Sequence, residues 1–410
     1  MVYSKTKLEK ALLLLLVFLF SFGVAGAEKF FVLAMLGVLL IDTFTMYQGV
    51  LRIEVDNQMI YLVLWGIGYT FMAILQGSGV IKSAVYFLIG PMVLCEVYRR
   101  IVSDCQTDKQ WLKAILLPAF GLFLHAVLNI AFSKKLGYFA HSHEHVYDIW
   151  TGSFNNRTII GLYLAPLSVL CIPLALVGKG VISNPVRVCL AVCALLSLGV
   201  TAEMGNRTLL VIMFIIFAVC FFVLLKDSRH KLQIIASLLL AVTVIALLYS
   251  YDVFGMQTFI KNSYVFRRMS ASGLHTSRFG VYLDTLKQFP AFIFGGLSAR
   301  YFEAGLGLSY AHNIWIDIFI YAGFIPCVLF VLYTITILRY AYRTIQCAET
   351  MCMKYVTIAF TLGIFLNWAV EPVLEADPYY FADCCGLFTV FNSYAKRHAE
   401  PKPIMTAPYR

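Results

Sequence analysis

Continuous apolar runs of about 17 to 22 residues recur along this chain, and each can cross a hydrocarbon layer of about 30 Å as a helix. About twelve such runs are distinguishable, centred near residues 17, 38, 67, 89, 122, 167, 194, 217, 241, 325, 363 and 386. They are continuous rather than alternating, which favours helices over a barrel, whose strands turn every second residue to the lumen. Hydrophobic residues make up 60% of the chain and charged residues only 13%. The mean hydropathy is +0.80. A soluble protein, or a soluble domain on one anchor, is excluded. The expected fold is an all-α integral membrane protein with about 12 transmembrane helices, residues 1–410 forming a single polytopic domain.

Orientation follows from Lys and Arg, which are enriched on the cytoplasmic side. With the N-terminus inside, most of the 32 basic residues fall there, among them Lys5, Lys7, Arg99, Arg100, Arg339, Arg343 and Lys396. The net charge of +10 then reflects anchoring on anionic lipid and needs no nucleic-acid partner. The start, with Lys5 to Lys10, an apolar run and Ala25-Gly26-Ala27, has the form of a secretory signal. Another span follows within a few residues, so an uncleaved first helix is expected. All eleven cysteines lie in spans or cytoplasmic segments, without disulfide or metal-site spacing.

Two segments outside exceed a tight turn. The longer is a roughly 60-residue polar interruption, residues 252–311, holding Arg267, Arg268, Arg278 and Arg300. Within it, Phe279, Val281, Tyr282, Leu286 and Phe289 recur at helical spacing, which predicts a short amphipathic helix over Thr276 to Phe289 at the membrane surface. Pro290 should end it and Gly295-Gly296 should turn the chain. The shorter segment, about Ser133 to Asn156, carries His141, His143 and His145. Alternate histidines share one side only in an extended segment and no cysteine joins them, so a solvated loop is expected and no metal site is assigned.

Few residues remain to carry chemistry. Arg207, in Asn206-Arg207-Thr208, falls at the outer N-terminus of an inward-running helix, and Arg157 repeats the pattern in Asn156-Arg157-Thr158. A cation is misplaced at the positive end of a helix dipole unless an anion is bound there. Free backbone N–H groups and an arginine fork together suit a phosphate. A snorkelling arginine, or one paired with Glu203, is the bland alternative. His312 likewise precedes an apolar run read as inward-running. A helix N-terminus favours the uncharged ring, which can accept a proton from a sugar hydroxyl. Asp317, five residues on, is an intramembrane acid and so functional or paired. Asn206 and Asn313, beside the arginine and the histidine, are auxiliary candidates. Glu371, Glu375 and Asp377 either pair with the arginines or face water.

In their order and placement these residues resemble the O-antigen ligase and O-antigen polymerase superfamily. The likeness is carried by Asn-Arg-Thr before the eighth span, Ser277-Arg278-Phe279-Gly280, and Ala311-His312-Asn313 followed by Tyr321-Ala322-Gly323-Phe324-Ile325-Pro326. It covers roughly residues 150 to 345. The resemblance implies a C-type glycosyltransferase membrane fold and a metal-independent, inverting transferase without cofactor. The protein would sit in the bacterial cytoplasmic (inner) membrane, its site facing the periplasm or cell exterior. The donor would be a glycan on undecaprenyl diphosphate, and the acceptor lipid A-core (ligase) or another lipid-linked repeat unit (polymerase). Arg207 and Arg278 would hold the diphosphate, Arg300 would assist, and His312 would activate the acceptor hydroxyl. A flippase of lipid-linked oligosaccharide is the competing class, since it too needs cations for diphosphate. A non-catalytic envelope assembly factor is a third.

Overall fold

The computed structural model describes residues 2–46, 55–137, 145–229, 231–272, 278–296 and 311–399. The first long helices are α1 (Val2–Ser21), α2 (Glu28–Met46), α3 (Asn57–Leu75), α4 (Val80–Val102) and α5 (Asp108–Lys135). A two-stranded hairpin, β1 (His145–Tyr147) with β2 (Phe154–Asn156), follows. Then come α6 (Arg157–Val177), α7 (Asn184–Met204), α8 (Arg207–Asp227) and α9 (Lys231–Ser250). Among its described residues the polar interruption holds three short α-helices: α10 (Met256–Asn262), α11 (Tyr264–Ser272) and α12 (Arg278–Lys287). The last group is α13 (Ile314–Ala322), α14 (Phe324–Cys347), α15 (Met351–Val370), the single turn α16 (Val373–Ala376) and α17 (Pro378–Ala399).

Long helices stand at the expected apolar runs, but among the described residues nine are long and apolar enough to cross a membrane: α3 to α9, α14 and α15. The expected twelve are therefore not all matched. Helix α17 is the instructive exception. It carries Asp383, Asn392, Lys396 and Arg397, and Asp383 and Asn392 are each 1% exposed. It packs on α4, α5 and α14, so protein rather than lipid surrounds most of it and polar residues can be partnered there.

The core sits where α3, α14, α15 and α17 meet. Trp65 lies 5.2 Å from Phe330 and 5.1 Å from Phe381, and Trp368 closes the cluster at 5.6 Å from Phe381. At one end of the bundle Asp56 ties three helices together. It accepts from Arg99 Nη2 (3.0 Å), Lys396 Nζ (2.7 Å) and Asn392 Nδ2 (2.7 Å) while capping α3 through Met59 N. Helix α1 enters the same core through Leu13, Val17 and Phe20. All eleven cysteines are free thiols.

The segment centred near 325 departs from the sequence reading. It is broken at Gly323, whose φ of 87° and ψ of −174° fall in a region only glycine enters readily. The nine-residue α13 folds back on α14: the Trp315 indole N–H donates to Thr334 Oγ1 (3.1 Å), and Cys327 Sγ approaches Trp315 O at 3.5 Å. In one continuous helix Trp315 and Thr334 would be about 28 Å apart at 1.5 Å per residue. So α13 is not the first part of an inward-running span, as the apolar pattern suggested. The polar interruption docks into this break, with Gly296 N bonded to Tyr321 O (2.8 Å) and Phe324 N to Ile293 O (2.9 Å). The amphipathic helix expected there is present as α12, which ends two residues early at Lys287, while residues 276 and 277 lie outside the described residues.

Candidate functional site

The two Asn-Arg-Thr tripeptides use the same side-chain cap. Asn156 caps α6 by accepting from Ile159 N (3.0 Å), and Asn206 caps α8 by accepting from Leu209 N (3.1 Å). Each arginine is thus the first residue of its helix, where the leading N–H groups have no intrahelical acceptor. Asn206 also donates through Nδ2 to Arg157 O (3.3 Å), so one side chain joins both helix starts. This contact needs Gly161: a Cβ there would lie 2.0 Å from Asn206 Nδ2. Arg157 and Arg207 are both half-buried. Glu203, the alternative partner for Arg207, instead bonds Lys134 (2.6 Å).

Nearby, the hairpin before α6 is organised by Asp148. Its carboxylate accepts from His125 Nε2 (2.8 Å), Thr151 N (2.8 Å), Trp150 N (2.9 Å) and Asn129 Nδ2 (3.3 Å). Burial opposes its charge, but these donors outweigh burial and hold the carboxyl well below the usual range. Of the expected histidine run, His141 and His143 lie outside the described residues, while His145 contributes its backbone to β1.

His312, Asn313 and Asp317 form the second group. Asn313 caps α13, accepting from Ile316 N (3.2 Å) and donating to Ala369 O (3.0 Å) at the end of α15. Asp317 is paired rather than free. Its two oxygens accept from Ala311 N (2.5 Å) and Asn313 N (3.0 Å), the residues on either side of His312. Between these clamps His312 adopts φ 58°, a left-handed conformation unusual outside glycine and costing about 1 kcal/mol or more. Its ring is 19% exposed, and Nδ1 faces Glu371 Oε2 at 3.9 Å. From above, the Tyr282 hydroxyl of α12 reaches His312 O (3.3 Å) and Ala369 O (3.2 Å).

Glu371 and Tyr282 are the residues sequence reasoning did not place. Glu371 was expected beside arginines or water, yet it is 4% exposed and stands next to the histidine. Its signal was faint: an acid directly followed by Pro372 at the end of an apolar run. Glu375, on α16, is reachable from outside but ringed by protein, and the desolvation raises its carboxyl to about 7. Arg278 begins α12, one helical turn before Tyr282, and its side chain lies outside the described residues, as does the whole of Arg300.

The structure therefore brings Arg157, Arg207 and Asn206 together, and separately His312, Asn313 and Asp317. Helix α15 packs against α6, α8 and α13 and so stands between the groups. Both groups are at the same end of the bundle, because α15 ends where antiparallel α6 and α8 begin. Chemically, one group offers two arginines at helix N-termini for an anion. The other offers a ring nitrogen oriented by a carboxylate. No protein-family model matches the chain, and no curated protein matches it. The likeness to O-antigen ligases and polymerases rests on the quoted motifs alone.

Proposed function

We propose that this protein is a membrane glycan transferase that moves a glycan from a lipid diphosphate to an acceptor sugar hydroxyl, in the manner of O-antigen ligases and polymerases. The observation that carries the reading is His312, held in a strained backbone by Asp317 and facing Glu371 with Nδ1. A carboxylate at Nδ1 leaves Nε2 as the atom that takes the hydroxyl proton. The 3.9 Å separation is long for a hydrogen bond, and such pairs tighten when substrate binds.

In this reading Arg157 and Arg207, at two joined helix N-termini, hold the diphosphate, with Arg278 and Arg300 contributed by the polar interruption. Diphosphate is a good leaving group, and fixed cations stabilise the charge it gains as the glycosidic bond breaks. Attack from the opposite face inverts the anomeric carbon. The bilayer supplies the donor, an undecaprenyl-diphosphate-linked glycan, on the outer face of a bacterial cytoplasmic membrane. Lipid A-core or a second lipid-linked glycan supplies the hydroxyl.

The test is transfer of a defined undecaprenyl-diphosphate glycan in purified membranes. His312→Ala should abolish transfer and leave donor binding intact, whereas Arg207→Ala should weaken donor binding. Near-normal transfer by His312→Ala sinks the reading. A ladder of products indicates a polymerase and a single addition to lipid A-core a ligase. The second reading, a flippase of lipid-linked oligosaccharide, is favoured by the broken helix pair α13–α14, a device transporters use at their binding sites. It requires donor movement across vesicles without transfer.

A further inference from the structure

A polar cavity lies at the same end of the bundle, lined by the end of α1, the start of α2, α5, α6 and the start of α17. Glu28, Asp377, Asp383 and His125 line it, and its described lining contains no lysine or arginine. His125 is already matched to Asp148 at 2.8 Å, so even its charged form leaves the three carboxyl groups uncompensated. Burial raises the carboxyl of Asp377, in keeping with a site that resists negative charge.

Asp383 is the decisive residue. It is 1% exposed, and its Oδ1 accepts from the Tyr98 hydroxyl of α4 (3.3 Å). Its Oδ2 has no partner of hydrogen-bond geometry among the described residues, the neighbouring Ser21 hydroxyl being spent on Val17 O at 2.9 Å, and the Tyr380 hydroxyl on the same wall has only the weak Cys384 thiol beside it. A buried carboxylate oxygen left in this way is strongly disfavoured unless a proton, a cation or a donating water meets it. The cavity offers about 10 Å³ to the centre of a water-sized sphere, room for a single small species. Apart from His125 its polar lining is all oxygen, including the Ser21, Tyr163 and Tyr379 hydroxyls, which suits a hard cation. Among the described residues no three His, Cys, Asp or Glu side chains are placed to hold a metal ion, which disfavours a divalent chelate.

We propose that this cavity binds one monovalent cation, sodium or a proton, through Asp383 Oδ2 and the Tyr380 hydroxyl. The inference stands on the cavity and is independent of the transferase reading, since its test involves no glycan.

The experiment uses the full chain in nanodiscs of neutral lipid. Binding of radioactive sodium is measured at acidic and alkaline pH, alongside infrared absorption of protonated carboxyl groups. Saturable sodium binding near one per chain, competed by acid and lost in Asp383→Asn, identifies sodium. Absence of sodium binding, with a protonated-carboxyl band at neutral pH that Asp383→Asn removes, identifies the proton. Tyr380→Phe keeps the carboxylate and should weaken sodium binding about tenfold, or shift the band, for the loss of one oxygen contact. Sodium binding weakened in Tyr380→Phe, or a band that this substitution shifts, decides the matter even if Asp383→Asn does not fold, because the band of Glu375 is left in place by Tyr380→Phe. No sodium binding, together with no protonated-carboxyl band that Asp383→Asn removes or Tyr380→Phe shifts, overturns the proposal and leaves a cavity that holds only water.

Discussion

At the scale of single residues, the candidate site depends on side chains that fix backbone rather than touch substrate. Asp317→Ala removes the acceptor for a buried and a half-buried N–H group beside His312 and should cost about 3 kcal/mol. Asp317→Asn, which keeps one acceptor, should cost roughly half of that. Thermal unfolding of the two variants checks the order. Gly161→Ala should push Asn206 off the N-terminus of α8 and cost about 1–2 kcal/mol, measured by the same method, with donor affinity falling alongside. Glu375 gives a pH prediction. Its folded value of about 7 lies above the ordinary value for glutamate, so the folded state holds the proton longer. Stability from this group is full below about 4.5 and declines as pH rises through 7. Glu375→Gln should flatten that decline in a melting series across pH. At this scale the sequence was only partly legible. Asn206, Asn313 and His312 could be picked out because they start helices. Glu371 and Tyr282 could not, because the contacts that bring them to His312 span 59 and 30 positions.

At the scale of elements, the turn between α13 and α14 carries most of the consequence. The apolar pattern from Ile314 onward reads as one long helix, and hydropathy cannot distinguish one helix from two joined at a glycine. Gly323 decides it, and a Cβ there would lie 2.7 Å from Ile293 O. Gly323→Ala should therefore both strain the turn and expel the docked 289–296 segment, for a loss of roughly 3 kcal/mol or more. Faster proteolysis of the polar interruption in that variant is the measurement that checks it. Wild-type cleavage rates would mean that the segment is held elsewhere. The helix starts at Asn156, Asn206 and Asn313 were more legible, and all three residues act as caps through their own side chains.

At the scale of the whole molecule, alternation of antiparallel helices sets the two ends of the bundle. The starts of α6 and α8, the end of α15 and the polar interruption share one end, while Asp56, Arg99 and Lys396 hold the other. Single cysteines placed at Thr151 and Thr258 should accordingly react with a membrane-impermeant reagent from the same side, and one at Ser103 from the opposite side. Labelling of Thr151 and Ser103 positions from one side would overturn this arrangement. The sequence by itself determined that the chain is a helical membrane protein, roughly where its long helices fall, and that Arg157 and Arg207 begin two of them. Those properties follow from local hydropathy and capping chemistry. Only the tertiary structure decided that α17 is sheathed by protein, that α13 turns back at Gly323, and that Glu371 meets His312. It alone placed Asp383 in a cavity with unmatched charge. Each of these depends on which helices become neighbours, and packing between distant segments leaves little mark on the residues nearby in sequence.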